Sequence, residues 1–158
     1  MKRVWVRSVH DTFDYVMQHY YPAGLEEMVE RNDTYAIISI QDAHTGGFGV
    51  QFTENQFCKG VLTLYFDDIV KEVEGAVLFT EEMAEKIIDF VQAHKKVETL
   101  LVHCYAGRSR SRAVGAFVVK MLGADNTKYF TNGSPNQYVY DVLERVWVRK
   151  CLQEDLKV

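Results

Sequence analysis

Apolar and polar residues alternate in blocks along the chain, short β-rich runs followed by amphipathic stretches, which is the pattern of an α/β domain. Val4-Trp5-Val6 reads as a first strand, and a helix is expected over residues 12–19 with Phe13, Val16 and Met17 on one side. Residues 35–40 and 61–66 are β-rich and end at Gln41-Asp42 and Asp67-Asp68, as central strands feeding loops at their C-terminal ends do. Between them, Gly46, Gly47 and Gly49 mark a turn or mobile surface loop; the Gly-Lys-Ser/Thr ending of a nucleotide phosphate loop is missing. Thr80 is a good N-cap, and Met83, Ile87, Phe90 and Val91 recur at helical spacing as far as His94. Residues 99–103 form a short apolar strand, residues 112–122 a helix apolar on nearly every side, and a last helix runs from about Asn136 to Cys151. The pattern predicts a central, mainly parallel sheet of four to five strands flanked by helices, in a single domain over residues 1–158.

With 158 residues, 47% of them hydrophobic, the chain can bury a substantial core. Its 18 Lys and Arg against 22 Asp and Glu give a net charge of -4, so no global basic field attracts nucleic acid or an anionic membrane. An anionic ligand must be held by a local site. No apolar run approaches the roughly 20 residues of a membrane span, and no secretory leader is recognisable, so a cytoplasmic monomer is expected. The three cysteines, Cys58, Cys104 and Cys151, are odd in number and lack C-x-x-C spacing, which suggests neither a disulfide framework nor a zinc cage. No metal or cofactor is expected.

The informative stretch joins the buried strand to the buried helix: His103-Cys104-Tyr105-Ala106-Gly107-Arg108-Ser109-Arg110-Ser111. Successive amides in a tight loop ahead of a helix N-terminus make a concave donor surface for a tetrahedral oxyanion. Cys104 would sit at its base, where the same field favours thiolate, the nucleophilic form of sulfur. Arg110 supplies a planar fork able to grip two phosphoryl oxygens at once. Gly107 permits a turn that a side chain would hinder. The competing readings of Cys104 are an inert core cysteine, a rhodanese-type sulfurtransferase and a redox sensor; five residues between Cys104 and Arg110 favour phosphate over a smaller transferred atom.

These residues resemble the signature of the cysteine-dependent protein tyrosine phosphatases: His-Cys, five residues, Arg, then Ser or Thr, matched by His103, Cys104, Arg110 and Ser111. Ala106-Gly107 and Ser109-Arg110-Ser111 look most like the small dual-specificity branch. The resemblance implies metal-free, two-step phosphoryl transfer on a phosphorylated protein substrate. Cys104 would be the nucleophile, and Arg110 with the amides of Tyr105, Ala106, Gly107, Arg108 and Ser109 would hold the phosphate. Ser111 would hydrogen-bond the sulfur, and His103 and Asn136 would support the loop.

In such enzymes the general acid is an Asp after the strand preceding the signature strand, a place occupied by Asp67 and Asp68; Asp68 is preferred, with Glu72, Glu74 and Asp42 as alternatives. Asp68 lies 36 positions before Cys104, a longer gap than the resembled enzymes usually show. A lipid or RNA 5′-phosphatase and a non-catalytic phosphate-binding pseudophosphatase are the rival readings.

Overall fold

Arg3–Ser8 forms β1, and Ser8 starts α1 (Val9–Tyr15) by accepting the Asp11 N–H on its hydroxyl at 3.0 Å. The computed structural model describes residues 1–17 and 33–156. The elements that follow are β2 (Tyr35–Gln41), β3 (Cys58–Tyr65), α2 (Glu81–Ala93), β4 (Thr99–Cys104), α3 (Arg110–Met121), α4 (Lys128–Thr131) and α5 (Gln137–Asp155). The strands make a four-stranded, all-parallel sheet in the order β1-β4-β2-β3, the α/β architecture that the block pattern implies.

β2 and β4 are buried at every position, as strands with both sheet faces covered must be. Their side chains alternate between two clusters. Ile38, Ile40, Leu100 and Val102 pack with Ile87 and Ile88 of α2, Phe117 of α3 and Leu143 of α5. Tyr35, Ile37 and Leu101 face the opposite side, with Val16, Phe57 and Cys58. At Gly115 an added Cβ would come within 2.3 Å of Val6 Cγ2, so this glycine lets α3 lie close against the sheet.

The structure shifts several boundaries. Because Ser8 caps α1 three residues earlier than expected, the helix buries Val9, Thr12 and Val16, and leaves Phe13 and Met17 exposed; residues 18 and 19 of the expected helix lie outside the described residues. α2 buries Ala84, Ile87, Ile88 and Val91, with Met83 and Phe90 only half-buried at the margin of that face. α3 opens at Arg110 rather than Arg112, and the single turn of α4 had no periodic signal long enough to reveal it. All strands being parallel, Ser8, Gln41, Tyr65 and Cys104 end on one edge of the sheet, where an α/β fold collects its binding loops.

Candidate active site

Cys104 ends β4, buried at its side chain, and the chain then turns through residues 105–109 into α3. Gly107 sits at φ 73°, and a Cβ there would meet the Arg7 carbonyl carbon at 2.6 Å and the Ser8 nitrogen at 2.7 Å. The loop is pressed onto the end of β1, helped by the Val9 N–H donating to the Tyr105 carbonyl at 3.1 Å. The Gly107 N–H donates to Cys104 Sγ at 3.3 Å, and Ser111 Oγ, buried in the first turn of α3, lies 3.1 Å from the same sulfur. The amides of Ala106, Arg108, Ser109 and Arg110 donate to no acceptor among the described residues, which leaves a run of unspent donors in the loop. Gly107→Ala combines a disfavoured φ with a backbone clash. It is expected to cost roughly 1–3 kcal/mol and displace the loop, read as a lower Tm and lost phosphate binding.

The Arg110 guanidinium is buried and held from two other loops. Its NH1 lies 2.7 Å from Asp42 Oδ1 and donates to the Phe66 carbonyl at 2.8 Å. Its Nε is buried with no partner among the described residues. A buried, charged donor left unpaired is costly unless something fills it, so this nitrogen points to an anion. Asp42, one of the alternative candidate acids, is the ion-pair partner of Arg110.

His103 lies beneath the loop in a fully buried relay. Gln41 Nε2 donates to Ser39 Oγ at 3.2 Å, Ser39 Oγ is 2.6 Å from His103 Nε2, and His103 Nδ1 is 3.1 Å from the Cys104 carbonyl. A single direction of donation satisfies every group: Ser39 O–H to Nε2 and Nδ1–H to the carbonyl, with the imidazole neutral. Burial, with Arg110 nearby, pushes the His103 pKa down to about 4, the Cys104 carbonyl opposing it. Since the unfolded chain takes up this proton near 6.5 and the folded one only near 4, stability is full above 6.5 and falls as pH drops through that window. The loss reaches on the order of 3 kcal/mol. The difference in Tm between pH 7 and pH 4.5 should therefore shrink in His103→Gln.

The two adjacent aspartates diverge. Asp67 is buried and clamps two loops: its Oδ1 accepts from the Ala43 and His44 amides at 3.1 and 3.2 Å and lies 2.5 Å from His44 Nδ1, and its Oδ2 accepts from the Val77 amide at 2.8 Å. Burial pushes its pKa up, but these hydrogen bonds outweigh it and hold the carboxyl down at about 2, a base rather than an acid at neutral pH. The same contact raises His44. Asp68 is exposed at the rim of the signature loop, and its Oδ1 accepts from Ser109 Oγ at 2.8 Å and Asn136 Nδ2 at 2.9 Å. Both donors take the same oxygen. Glu72 and Glu74 line a separate cleft of about 760 Å³ with Tyr138 and Arg145, into which no signature-loop residue projects.

Asn136 is where three segments meet. Its backbone N–H donates to the Ser109 carbonyl, its Nδ2 to Asp68 and to the Ile69 carbonyl, and its Oδ1 caps α5 by accepting the Val139 N–H. It thus caps α5 and also bonds to the signature loop at Ser109. Arg108 is exposed, and exposed Tyr105 stands at the mouth near Phe48 and His10, with ring centroids 5.5 and 6.2 Å away. Cys58 is buried far from this cluster in the opposite core, where burial raises its thiol to about 11. Sequence reasoning missed Ser39 and Gln41 as well as the role of Asp42. Their only signal was position at the end of a strand adjacent to β4.

Among the described residues no three His, Cys, Asp or Glu side chains gather to hold a metal, and no helix is long and apolar enough to cross a membrane. No family model and no curated protein matches the sequence. Solved structures do match in fold. A human tyrosine phosphatase-like serine/threonine/tyrosine-interacting protein superposes with a TM-score of 0.56 at 18% identity, over 88% of this chain and 89% of that one. PTPMT1 superposes with a TM-score of 0.50 at 13% identity, over 96% of each chain. The chain therefore has the α/β fold of these phosphatase-like proteins.

Proposed function

We propose that this chain hydrolyses phosphomonoesters on protein, phosphotyrosine and with it phosphoserine and phosphothreonine, through a phosphocysteine intermediate. The observation that carries the reading is the buried, unpartnered Nε of Arg110 beside a loop of unspent amides with a cysteine sulfur at its base. Cys104 Sγ attacks phosphorus and the P–O ester bond breaks. Asp68 gives its proton to the departing oxygen, and Arg110 with the loop amides holds the three equatorial oxygens. Water then attacks phosphorus and the S–P bond breaks. Asp68 takes the proton from that water, and Ser111 donates to the departing sulfur. His103 and Asn136 keep the loop in place.

One fold neighbour is named as an interacting protein, which keeps a binding-only reading in view. Against it stands the presence of Cys104, Arg110 and Asp68 together. A lipid or RNA 5′-phosphatase is the other rival; the loop carries no lysine of the kind phosphoinositide enzymes add, and the chain's net charge of -4 argues against RNA. The test is a panel of phosphopeptides, phosphoinositides and 5′-phosphorylated RNA assayed in chelator, with acid quenching and mass analysis of Cys104. Turnover of phosphopeptides in chelator with phosphate trapped on Cys104 is the expected result. Hydrolysis that vanishes in chelator, or activity confined to lipid or RNA, overturns it.

A further inference from the structure

Among the described residues β1 is paired only by β4, so its other edge is open. Lys2 and Arg3 both donate to the Glu98 carbonyl where β1 begins; the Val9 N–H donating to Tyr105 beyond its other end, and the Val6 carbonyl accepting from exposed Arg7 NH1, set the alternation that turns Arg3, Trp5 and Arg7 towards β4 and Val4 and Val6 outward. Two clefts, of about 420 and 300 Å³, run along this edge and share Val4, Trp5, Lys128 and Tyr129, so they form one groove between β1 and the α3–α4 region.

The groove is positively charged in a chain that is acidic overall. Arg3 and Arg7 lie over the Trp5 ring at 5.4 and 5.0 Å, and Arg112 and Lys128 over the Tyr129 ring, both at 5.4 Å. None of these four cations is ion-paired among the described residues. The nearby acids are engaged elsewhere, Glu98 by Lys2 at 3.3 Å and Asp125 by Thr127 at 2.6 Å. Cations stacked on rings are already ordered, which lowers the entropy lost when they take a ligand.

Arg3, Trp5 and Arg7 share one face of β1. Val6 packs on the other, against Gly115 of α3, where Arg112 and Lys128 also lie. A strand added to this edge would thus meet positive charge with side chains on both of its faces. The groove also leads to the signature loop, since the Arg7–Ser8 backbone abuts Gly107 and Arg112 is in the first turn of α3.

We propose that the open edge of β1 binds an extended, acidic segment of a protein by strand addition, with Arg3, Arg7, Arg112 and Lys128 facing its carboxylates. The outward N–H groups of Val4 and Val6 favour a peptide over a nucleic acid, which has no amide ladder to offer; the Val6 carbonyl accepts from Arg7 NH1 at 3.0 Å, a bond that an incoming strand would displace. Binding needs no turnover; its role in selecting substrates rests on the phosphatase reading above.

The test uses a fluorescent, unphosphorylated, Asp- and Glu-rich peptide of about six to eight residues, the length of an ordinary strand. Anisotropy should show salt-sensitive binding, weakened at least about tenfold in the Arg7→Glu, Lys128→Glu double variant. Hydrogen exchange at the Val4 and Val6 amides should slow when the peptide binds, and kcat/KM on a small aryl phosphate should not change. If the charge-reversed chain fails to fold, the Arg7→Ala, Lys128→Ala pair is read for the same direction. Unaltered affinity in the variants, unprotected Val4 and Val6 amides, no binding of the peptide, or tighter binding of an oligonucleotide or anionic vesicle overturns the proposal. Intact peptide binding in a chain inactive on every phosphoester would strike the catalytic reading alone.

Discussion

Cys104→Ser is expected to lower hydrolysis of an aryl phosphate by on the order of 10⁴- to 10⁶-fold while the chain keeps its Tm and still binds inorganic phosphate. The oxygen of serine holds its proton at neutral pH and is a far weaker nucleophile towards phosphorus. The proposed phosphate donors, the loop amides and Arg110, are by contrast not touched by the substitution. Steady-state kinetics and phosphate titration by calorimetry separate the two properties. Substantial turnover in the serine variant would show that another group attacks phosphorus.

Asp68→Asn carries the second large effect, a fall in kcat of roughly 10²- to 10⁴-fold on esters with poor leaving groups such as phenyl phosphate. The effect should shrink on nitrophenyl phosphate, whose phenolate departs without a proton. Leaving-group dependence separates a lost proton donor from a disturbed loop, since a disturbed loop slows both substrates alike. Asp68 suits this role by its placement. Ser109 and Asn136 both donate to Oδ1, which leaves Oδ2 to carry the proton at the rim of the loop. Asp67, spent on three backbone amides and His44, should instead cost stability when changed to Asn, with no dependence on leaving group.

The signature residues were legible in the sequence because their chemistry is local. Cys104, Gly107, Arg110 and Ser111 are neighbours along the chain, and the loop between a strand and a helix brings them together without help from elsewhere. The order of elements was legible for a similar reason, since burial on both faces makes β2 and β4 continuously apolar. Asp42, Ser39 and Gln41 were not legible in their roles. They reach the site only because β2 lies beside β4 in the sheet, and strand order is a long-range property that hydrophobic pattern does not encode. The start of α1 was misread by three residues because its N-cap, Ser8, is also the last residue of β1, so strand and helix meet with no loop between them.

The ion pair between Arg110 and Asp42 bears on how readily the proposed site would release an anion. Under the proposed function, a guanidinium facing only the anion would hold the orthophosphate product firmly and slow its release. The Asp42 carboxylate, 2.7 Å from Arg110 NH1, draws on the same positive charge, so a bound anion would depart more readily than from an unpaired guanidinium.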